Sequence, residues 1–556
     1  MPTHTCIMNT FLFIPLHNTS IKKNLILLGL LLLFYSCQEH SGKTTNSPAL
    51  ATYQKAIASS KKISEILSTS DTLKLFENDS VTAFYINRKN KPVWNNIEFK
   101  NSFIDTLKQA EAQGLNFKDY HGDQLNTLST LEKPDTESIN KLDVLLTDAY
   151  FKFGKHLLNG KTNPLKSHEI WDLPRNTANL TKLLESAAED QNIEIALRSL
   201  RPNHPIYNQL IKASKEYKKL SEEFKGFKDI IEGKIIRPEM NDTRIPSIQF
   251  RLMYLGYLKN IDPMSNKYSE EILAAIKKFQ HDKKLLVDGI IGNSTIAMLN
   301  TGPDKRFQQI QANLERWRWY PRYLGDHYLL LNIANFQLQV IQNGKVISTN
   351  KTIVGKPSRK TPIYKDEIEY IVFNPSWHIP PTIKNNDVIP QARRNASYLL
   401  NKKIDVYNSS GEKLDPFKID WTHSAIRTYT YRQGPGPTNP LGVVKIIYPN
   451  KHYTYLHDTP SKDLFNRNSR ALSSGCIRVE NALVLAQHLL SDQDDMTPDR
   501  INEILKKGRT QQIEMRQKVS IYQLYWTAWQ ESGVTVFAND IYGYDTKIFE
   551  ELRKAS

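Results

Sequence analysis

Two residues capable of nucleophilic chemistry, Cys476 and His457, lie 19 positions apart in this sequence. Cys476 follows Ser473-Ser474-Gly475, a run of small residues that would leave its sulfur uncrowded. A thiol needs a base to become a thiolate at neutral pH, and an imidazole is the usual base. The backbone N–H groups of Gly475 and Cys476 could stabilise the oxyanion formed when the sulfur attacks a carbonyl. The arrangement predicts acyl transfer, and a buried structural cysteine beside an unrelated histidine is the alternative.

The N-terminal segment has the layout of a secretory signal. Lys22-Lys23 precede an apolar run at residues 25–35, and Ser36-Cys37 follow it. The run is shorter than the ~20 residues that span a bilayer. We therefore expect residues 1–36 to be removed. Residues 33–37 resemble a bacterial lipoprotein cleavage box, which implies that Cys37 carries a lipid anchor, and residues 37–50 are expected to form a polar tether. An ordinary signal peptide or an uncleaved anchor would fit the same run.

The number of cysteines favours a thiol that is used. The chain has three cysteines, so removal of residues 1–36 and acylation of Cys37 would leave Cys476 as the one free thiol. An exported protein that keeps an unpaired cysteine in an oxidising compartment runs a chemical risk. That risk is easiest to understand if the thiol does chemistry.

The formal net charge of +16 suits anionic partners. For an exported chain the candidates are cell-wall polymer and the bilayer surface, and a solvated lysine-rich surface is the alternative. No finger, recognition-helix or RNA-binding signature indicates nucleic acid. No HExxH or CxxC motif is present, and the glycines fit no phosphate-binding loop, so the sequence predicts no metal and no cofactor. Protein partners and oligomeric state stay open.

The length of the chain predicts about three domains. Residues 51–240 have a mostly helical pattern, with strand signals only at residues 81–86 and 93–94, and we expect a helical scaffold there. Residues 241–300 contain three short helical stripes. This stretch resembles the peptidoglycan-binding domain of cell-wall enzymes through these residues: Phe279-Gln280, Asp288-Gly289, Gly292 and Thr295.

From residue 327 onward the pattern becomes β. Runs rich in Val, Ile and Leu, with Asn343-Gly344 as a hairpin turn, predict strands at residues 328–333, 338–342, 345–354, 369–373 and 443–447. An insertion at residues 382–436 carries a helical piece and polar turns, and long insertions in compact domains tend to be functional lids. An aromatic run at residues 316–320 is expected to pack the junction before the strands.

The chain resembles the L,D-transpeptidase family, specifically the large Gram-negative type with a scaffold and a wall-binding module. The family signature is a His, a gap, then Ser or Thr, any residue, Gly and Cys, followed by a hydrophobic residue and Arg or Asn. Here it is supplied by His457, Ser473-Ser474-Gly475-Cys476, Ile477 and Arg478. Further matches are residues 374–380, residues 432–437 with Asn439 and Leu441-Gly442, and residues 525–529.

The resemblance implies a multidomain α+β protein with a β-rich catalytic domain. The expected regions are a signal peptide (1–36), a lipid-anchored tether (37–50), a helical scaffold (51–240), a three-helix peptidoglycan-binding module (241–300), a catalytic domain (326–506) with a capping insertion (382–436), and an extension packing on it (507–556). It also implies a periplasmic, membrane-anchored lipoprotein of a Gram-negative bacterium that acts on peptidoglycan peptide stems.

The chemistry implied by the resemblance is a 3→3 cross-linking reaction. Cys476 attacks the carbonyl of the third residue of a tetrapeptide stem, and the side-chain amine of a second stem takes the acyl group. His457 moves the protons, and the backbone carbonyl of Asp458 orients its ring. Gly475 contributes to the oxyanion site. The implied substrate-binding residues are Ser474, Arg478, Trp377 and Asn439.

Two other functions stay open from the sequence. If water replaces the acceptor amine, the same cysteine gives an L,D-carboxypeptidase. If Cys476 is inert, the chain is a lipoprotein that only binds the wall through residues 241–300.

Overall fold

The structure is a computed structural model that describes residues 61–68, 73–223, 228–283, 285–531 and 533–554. The predicted signal peptide (1–36), the lipid-bearing Cys37 and the tether (37–50) lie outside the described residues. The described residues belong to one compact unit. Within them, no helix combines the length and the apolar character needed to cross a membrane.

The region from residue 73 to residue 223 is helical and surrounds one long helix, α4. Its helices are α1 (Asn78–Asn87), α2 (Ile97–Lys108), α3 (Gly122–Ser129), α4 (Thr136–Asn159), α5 (Pro164–Ser167), α6 (Leu180–Glu189), α7 (Ile193–Leu200) and α8 (Pro205–Glu223). Helix α4 begins where the Asp135 side chain accepts a hydrogen bond from the Ser138 N–H. Most of its later residues are buried, as expected for a central helix. The predicted helical scaffold is confirmed.

The strand expected at residues 81–86 is instead part of helix α1. Val81, Phe84 and Tyr85 are buried at helical spacing, and the Tyr85 hydroxyl donates to Asp143 of α4 at 2.5 Å. β-branched and aromatic residues favour strands only weakly, and packing against a neighbouring element overrides that preference.

A three-helix module follows, as predicted for residues 241–300. It contains α9 (Ile245–Tyr254), α10 (Glu270–Asp282) and α11 (Asn293–Leu299). The Gln280 side chain donates to the Ile290 carbonyl at 3.0 Å and accepts from the Gly289 N–H at 2.9 Å. Gly289 has a φ of +69°, which favours glycine. The motif residues therefore hold the turn that precedes α11.

The main sheet closes into a barrel. Its strands are β1 (Trp171–Asp172), β2 (His327–Asn332), β3 (Gln337–Gln342), β4 (Lys345–Gly355), β5 (Ile363–Phe373), β10 (Val444–Ile447), β11 (Leu456–His457), β12 (Ala471–Ser473), β13 (Ile477–Val479) and β14 (Gln511–Leu524). The order is β1-β5-β10-β11-β13-β4-β3-β2-β14, and β14 also pairs with β5. The predicted strands are confirmed with small shifts of their ends, except that β5 begins at Ile363 and not at residue 369.

Strand β14 corrects the boundary predicted at residue 507. The expectation was an extension at 507–556 that packs on the catalytic domain, but β14 pairs with β2 in parallel and with β5 antiparallel. Its outer half, Gln511 to Lys518, is largely polar and partly exposed, so the strand pattern is weak there. The tail therefore completes the barrel. Strands β15 (Ala528–Glu531) and β16 (Val534–Phe537) and helix α18 (Tyr544–Arg553) follow it.

The barrel core lies between its strands and two helices, α16 (Ala482–Leu489) and α17 (Pro498–Lys507). On β10, β11 and β13 the core residues alternate with others, since successive side chains on a strand point to opposite faces. The core residues are Val444, Ile446, Leu456, Ile477 and Val479. The intervening residues of these strands therefore face away from the core.

The insertion between β5 and β10 is a separate small layer, as predicted. It has a sheet in the order β6-β9-β7-β8, formed by β6 (Trp377–His378), β7 (Ile404–Tyr407), β8 (Lys413–Leu414) and β9 (Thr430–Gln433). Its helical part is a π-helical turn (Lys384–Val388) between α13 (Pro381–Ile383) and α14 (Ile389–Arg394), followed by α15 (Ser397–Asn401). These elements enclose their own apolar core.

Helix α12 (Pro303–Trp319) joins the regions through buried polar contacts. Arg316 pairs with Asp545 of α18 at 2.5 Å, and Asn313 donates to the Thr527 hydroxyl at 2.7 Å. The Trp317 ring stacks on Trp526 with centroids 4.9 Å apart. The aromatic run at residues 316–320 therefore packs the junction, as expected.

Removal of a buried side chain from β14 tests its place in the barrel. Ile521 is fully buried and Val534 of β16 is 64% exposed. We expect Ile521→Ala to lower the free energy of unfolding by about 2–5 kcal/mol because it leaves a cavity. Val534→Ala should change it by less than about 0.5 kcal/mol. Denaturant unfolding followed by tryptophan fluorescence measures both, and equal small effects would contradict the barrel position of β14.

Candidate functional site

Three polar residues lie side by side on the barrel face that points away from the core. Lys445 of β10 is the register partner of His457 of β11, and His457 is the register partner of Arg478 of β13. Cys476 precedes Arg478 by two positions, and Tyr455 precedes His457 by two, so both share this face. The structure therefore places Cys476, directly before β13, beside the neighbouring strand β11 that carries His457.

The turn before Cys476 depends on glycine. Gly475 has a φ of +115°, a conformation that L-residues avoid. The Ser473 hydroxyl donates to the Cys476 carbonyl at 2.6 Å and accepts from the Gly475 N–H at 3.1 Å. The Gly475 N–H is therefore already used within the turn. Among the described residues the Cys476 N–H has no backbone partner, so it is the better candidate for an oxyanion donor.

Two distant segments fix this turn. The Thr361 hydroxyl donates to the Gly475 carbonyl at 2.9 Å, and the Lys356 N–H donates to the Ser473 carbonyl at 3.0 Å. Tyr542, from the C-terminal segment, accepts from the Thr361 N–H at 3.0 Å and donates to the Gly355 carbonyl at 2.7 Å. The loop between β4 and β5 is thus held between the cysteine turn and Tyr542.

The imidazole of His457 is oriented by backbone. Its Nδ1 lies 2.5 Å from the carbonyl oxygen of Asp458, which is the contact that the family resemblance implies. A carbonyl oxygen only accepts hydrogen bonds, so Nδ1 carries the proton and Nε2 keeps the lone pair. The Asp458 carboxylate is occupied elsewhere: it accepts from the Val443 N–H at 3.0 Å and pairs with Lys462.

Burial keeps both reacting groups uncharged in the free protein. Burial lowers the pKa of His457 to about 3, with help from the positive charges of Arg478 and Lys445. Burial also raises the pKa of the Cys476 thiol, against the opposing effects of Tyr455, Lys445 and Arg478. At neutral pH the site holds a neutral thiol and a neutral imidazole, not an ion pair.

The thiol points to the backbone in this structure. Cys476 Sγ donates to the Tyr453 carbonyl oxygen at 3.7 Å. Tyr453 itself is 83% exposed and has a φ of +54°. A substrate carbonyl that approaches the sulfur therefore has to replace a weak hydrogen bond, after which the thiol proton is free to pass to His457.

Ser474 lies in a contact that joins the cysteine turn to the capping insertion. Arg359, in the loop between β4 and β5, donates to the Ser474 hydroxyl at 2.9 Å. The same guanidinium forms a two-point pair with Asp387 of the insertion, at 2.6 and 3.1 Å. No sequence pattern points to Arg359 or Asp387, because Arg359 meets Ser474 and Asp387 only in three dimensions.

The structure corrects the substrate-binding role expected for Asn439. Its side chain is fully buried, and its amide donates to the Pro375 and Gly434 carbonyls, both at 2.9 Å. Asn439 therefore shapes the loop before β10 and has no surface to offer a substrate. Trp377 is half-buried against the core of the insertion, and a substrate-binding role for it stays a prediction.

Lys445 and Tyr455 were missed by the sequence reasoning. The Lys445 ammonium lies 3.9 Å from the centre of the Tyr455 ring, and that ring lies 5.6 Å from the His457 ring. The period-two alternation of residues 444–446 and 455–457 could have placed both side chains beside His457, since their neighbours are apolar core residues.

Metal ligands are not clustered in the part of the chain that the structure describes: no group of three or more His, Cys, Asp or Glu side chains could hold an ion there.

Comparison with known proteins agrees with the three-part organisation. A scaffold domain model matches residues 79–213, the model described as "Putative peptidoglycan binding domain" matches residues 241–299, and the L,D-transpeptidase catalytic domain model matches residues 326–513. The last range contains both Cys476 and His457. Over residues 326–513 the chain is similar to the catalytic domain of L,D-transpeptidases.

A curated protein similar to this chain comes from Haemophilus influenzae. It is named "Putative L,D-transpeptidase" and is 35% identical over 242 residues, which are 43% of this chain and 49% of the relative. The chain thus aligns with about half the length of the curated relative that it matches.

Solved L,D-transpeptidase structures are more distant. One from Stackebrandtia nassauensis has 12% identity and a TM-score of 0.18 and covers 54% of this chain and 100% of that chain. One from Xylanimonas cellulosilytica has 13% identity and a TM-score of 0.16 and covers 53% of this chain and 99% of that chain.

The reactivity of the thiol should rise with pH in a single step. The thiolate is the reactive form, and burial raises the pKa of Cys476 above the ordinary value of about 8.5. Because the pKa of His457 is lowered to about 3, we expect no inflection between pH 5 and 7.

Alkylation of Cys476 by iodoacetamide, followed by peptide mass spectrometry from pH 5 to 10, measures this profile. A plateau of fast labelling at pH 6 would indicate a preformed thiolate–imidazolium pair and would contradict the neutral one.

Loss of the Asp387 charge should loosen the insertion above the cysteine turn. Asp387→Asn removes the ionic part of the pair with Arg359, a surface pair worth up to about 1 kcal/mol. We expect iodoacetamide to label Cys476 about two- to fivefold faster in this variant. Asp405→Asn is a matched control, because Asp405 pairs with Lys413 inside the same insertion. Equal rates in the two variants would show that the Arg359 contact does not restrain the insertion.

Proposed function

We propose that this protein is a cysteine-dependent L,D-transpeptidase that forms 3→3 cross-links between peptidoglycan peptide stems. The observation that supports it most is the hydrogen bond from His457 Nδ1 to the Asp458 carbonyl, 2.5 Å long. It leaves the Nε2 lone pair as a base on the same barrel face as the Cys476 thiol. The match of residues 326–513 to the L,D-transpeptidase catalytic domain model supports this reaction type.

The acylation step follows from these groups. The Cys476 thiol proton moves to His457 Nε2 as the sulfur attacks the carbonyl of the third stem residue. The Cys476 N–H donates to the oxygen of the tetrahedral intermediate, and preorganised donors of this kind contribute several kcal/mol. The bond from that carbonyl carbon to the terminal D-alanine nitrogen then breaks, and the imidazolium returns the proton to the leaving amine.

The second half of the reaction regenerates the thiol. The side-chain amine of a second stem attacks the thioester and gives a proton to His457, and the sulfur leaves and takes that proton. If water attacks instead, the product is a free tripeptide, which is the carboxypeptidase alternative. A site that acts on stems and a module similar to peptidoglycan-binding domains together support a location outside the cytoplasm. The lipid anchor at Cys37 stays a prediction from the sequence.

A carbapenem tests the acylation step. We expect the purified protein to gain the mass of one carbapenem molecule, at Cys476, and Cys476→Ala to gain none. His457→Gln should slow acylation by about 10²–10⁴-fold because the base is lost. The exposed His281 of the three-helix module provides the control His281→Gln, which should acylate at the wild-type rate.

Product analysis separates the remaining functions. With disaccharide-tetrapeptide as substrate, cross-linked dimers support the transpeptidase, and free tripeptides alone support the carboxypeptidase. If wild type gains no carbapenem and makes neither product, the protein is a wall-binding lipoprotein and the proposal is wrong.

A further inference from the structure

The face that carries Cys476 and His457 has two positive charges, and no salt bridge links either of them to a carboxylate in the part of the chain that the structure describes. Lys445 and Arg478 are the register neighbours of His457 on its two sides. Among the described residues, the thiol of Cys476 is the one group whose negative charge raises the pKa of either cation. Since that thiol is neutral at rest, the two charges stand uncompensated in the free protein.

Both cations also lack the hydrogen bonds that would satisfy them inside the protein. Burial lowers the pKa of Lys445 and of Arg478, which shows that each is partly withdrawn from water. The Arg478 Nε is buried and has no hydrogen-bond partner in the described part of the chain. By contrast, two other cations near the site are paired: Arg359 with Asp387 and Lys462 with Asp458. Partly buried, unpaired cations favour an anionic ligand.

The proposed reaction presents one anion at this position. The D-amino acid that leaves carries its free carboxylate one carbon away from the amine that His457 must protonate. That carboxylate therefore lies beside the imidazole, where Lys445 and Arg478 flank it. The Lys445 ammonium is held 3.9 Å from the centre of the Tyr455 ring, a cation–π contact that fixes its position without neutralising its charge.

We propose that Lys445 is a specificity-determining residue that binds the terminal carboxylate of the donor stem, with Arg478 as the second cation. The inference rests on the proposed function and names the part of the substrate that the site recognises. It explains why the site would act on the C-terminal residue of a stem: an internal peptide bond has no carboxylate at that distance from the leaving nitrogen.

The test compares two donor peptides that differ only at the C-terminus. One is the tetrapeptide stem with a free carboxylate, and the other is its C-terminal amide. We expect wild type to favour the acid over the amide by about ten- to hundred-fold in kcat/KM, the range for a hydrogen bond to a charged group. Lys445→Met should reduce this ratio about tenfold or more, and Lys445→Arg should retain most of it. Lys518→Met, which removes a lysine paired with Glu369 on the same barrel, should leave the ratio unchanged.

An unchanged ratio in Lys445→Met would overturn the inference, even if both rates fell, because a lysine that only stabilises the thiolate affects the two peptides equally. Binding of the acid and the amide to Cys476→Ala, measured by calorimetry, gives a readout that needs no turnover. A preference for the acid that Lys445→Met removes, without turnover in wild type, would support the carboxylate site and sink the transpeptidase. No preference in either assay would overturn the carboxylate site.

Discussion

The geometry of the site depends on one residue, Asp458. Its carbonyl fixes the proton on His457 Nδ1, its N–H donates to the Val444 carbonyl at 2.9 Å, and its carboxylate holds the Val443 N–H. Residue 442 has to be glycine for this to work, because a Cβ there would lie 2.2 Å from the Asp458 carboxylate oxygen. Asp458 therefore selects the tautomer of the His457 imidazole, and it also anchors the end of the loop that returns from the insertion.

The neutral state of the Cys476 thiol protects it from oxidation. A thiolate is the form that is oxidised, so a cysteine with a low pKa is exposed to attack whether or not substrate is present. Here burial raises the pKa of Cys476, and ionisation is coupled to proton transfer to His457. The thiol then becomes reactive chiefly when a carbonyl is in place. A thiol of this kind suits the export that the sequence predicts, because it would be slow to oxidise in an oxidising compartment.

Much of the fold could be predicted from the sequence, because the turns and strands concerned are specified by residues close together in the chain. The hairpin at Asn343-Gly344 and the alternating strands around it follow from turn chemistry and period two. Strand β14 was missed because its polar outer half carries no such pattern, and its inner half is recognisable only once β2 and β5 lie on both sides of it. Residues 81–86 were wrongly predicted to form a strand. Their helix is stabilised by contacts such as the hydrogen bond from Tyr85 to Asp143, which lies 58 positions away in the sequence.

In the candidate site, too, some residues could be predicted from local sequence motifs and others only from the packing. Cys476 and His457 were predicted because a motif of fixed spacing carries them, whereas Asn439 was misassigned because a motif match does not say whether a residue touches substrate or supports the loop. Lys445 lies outside every motif, and only the packing shows that it has no carboxylate partner among the residues that the structure describes. A sequence shows which charges a chain has. Strand register decides which of these charges lie unpaired beside the reacting groups. Specificity for a charged leaving group would arise from those unpaired charges.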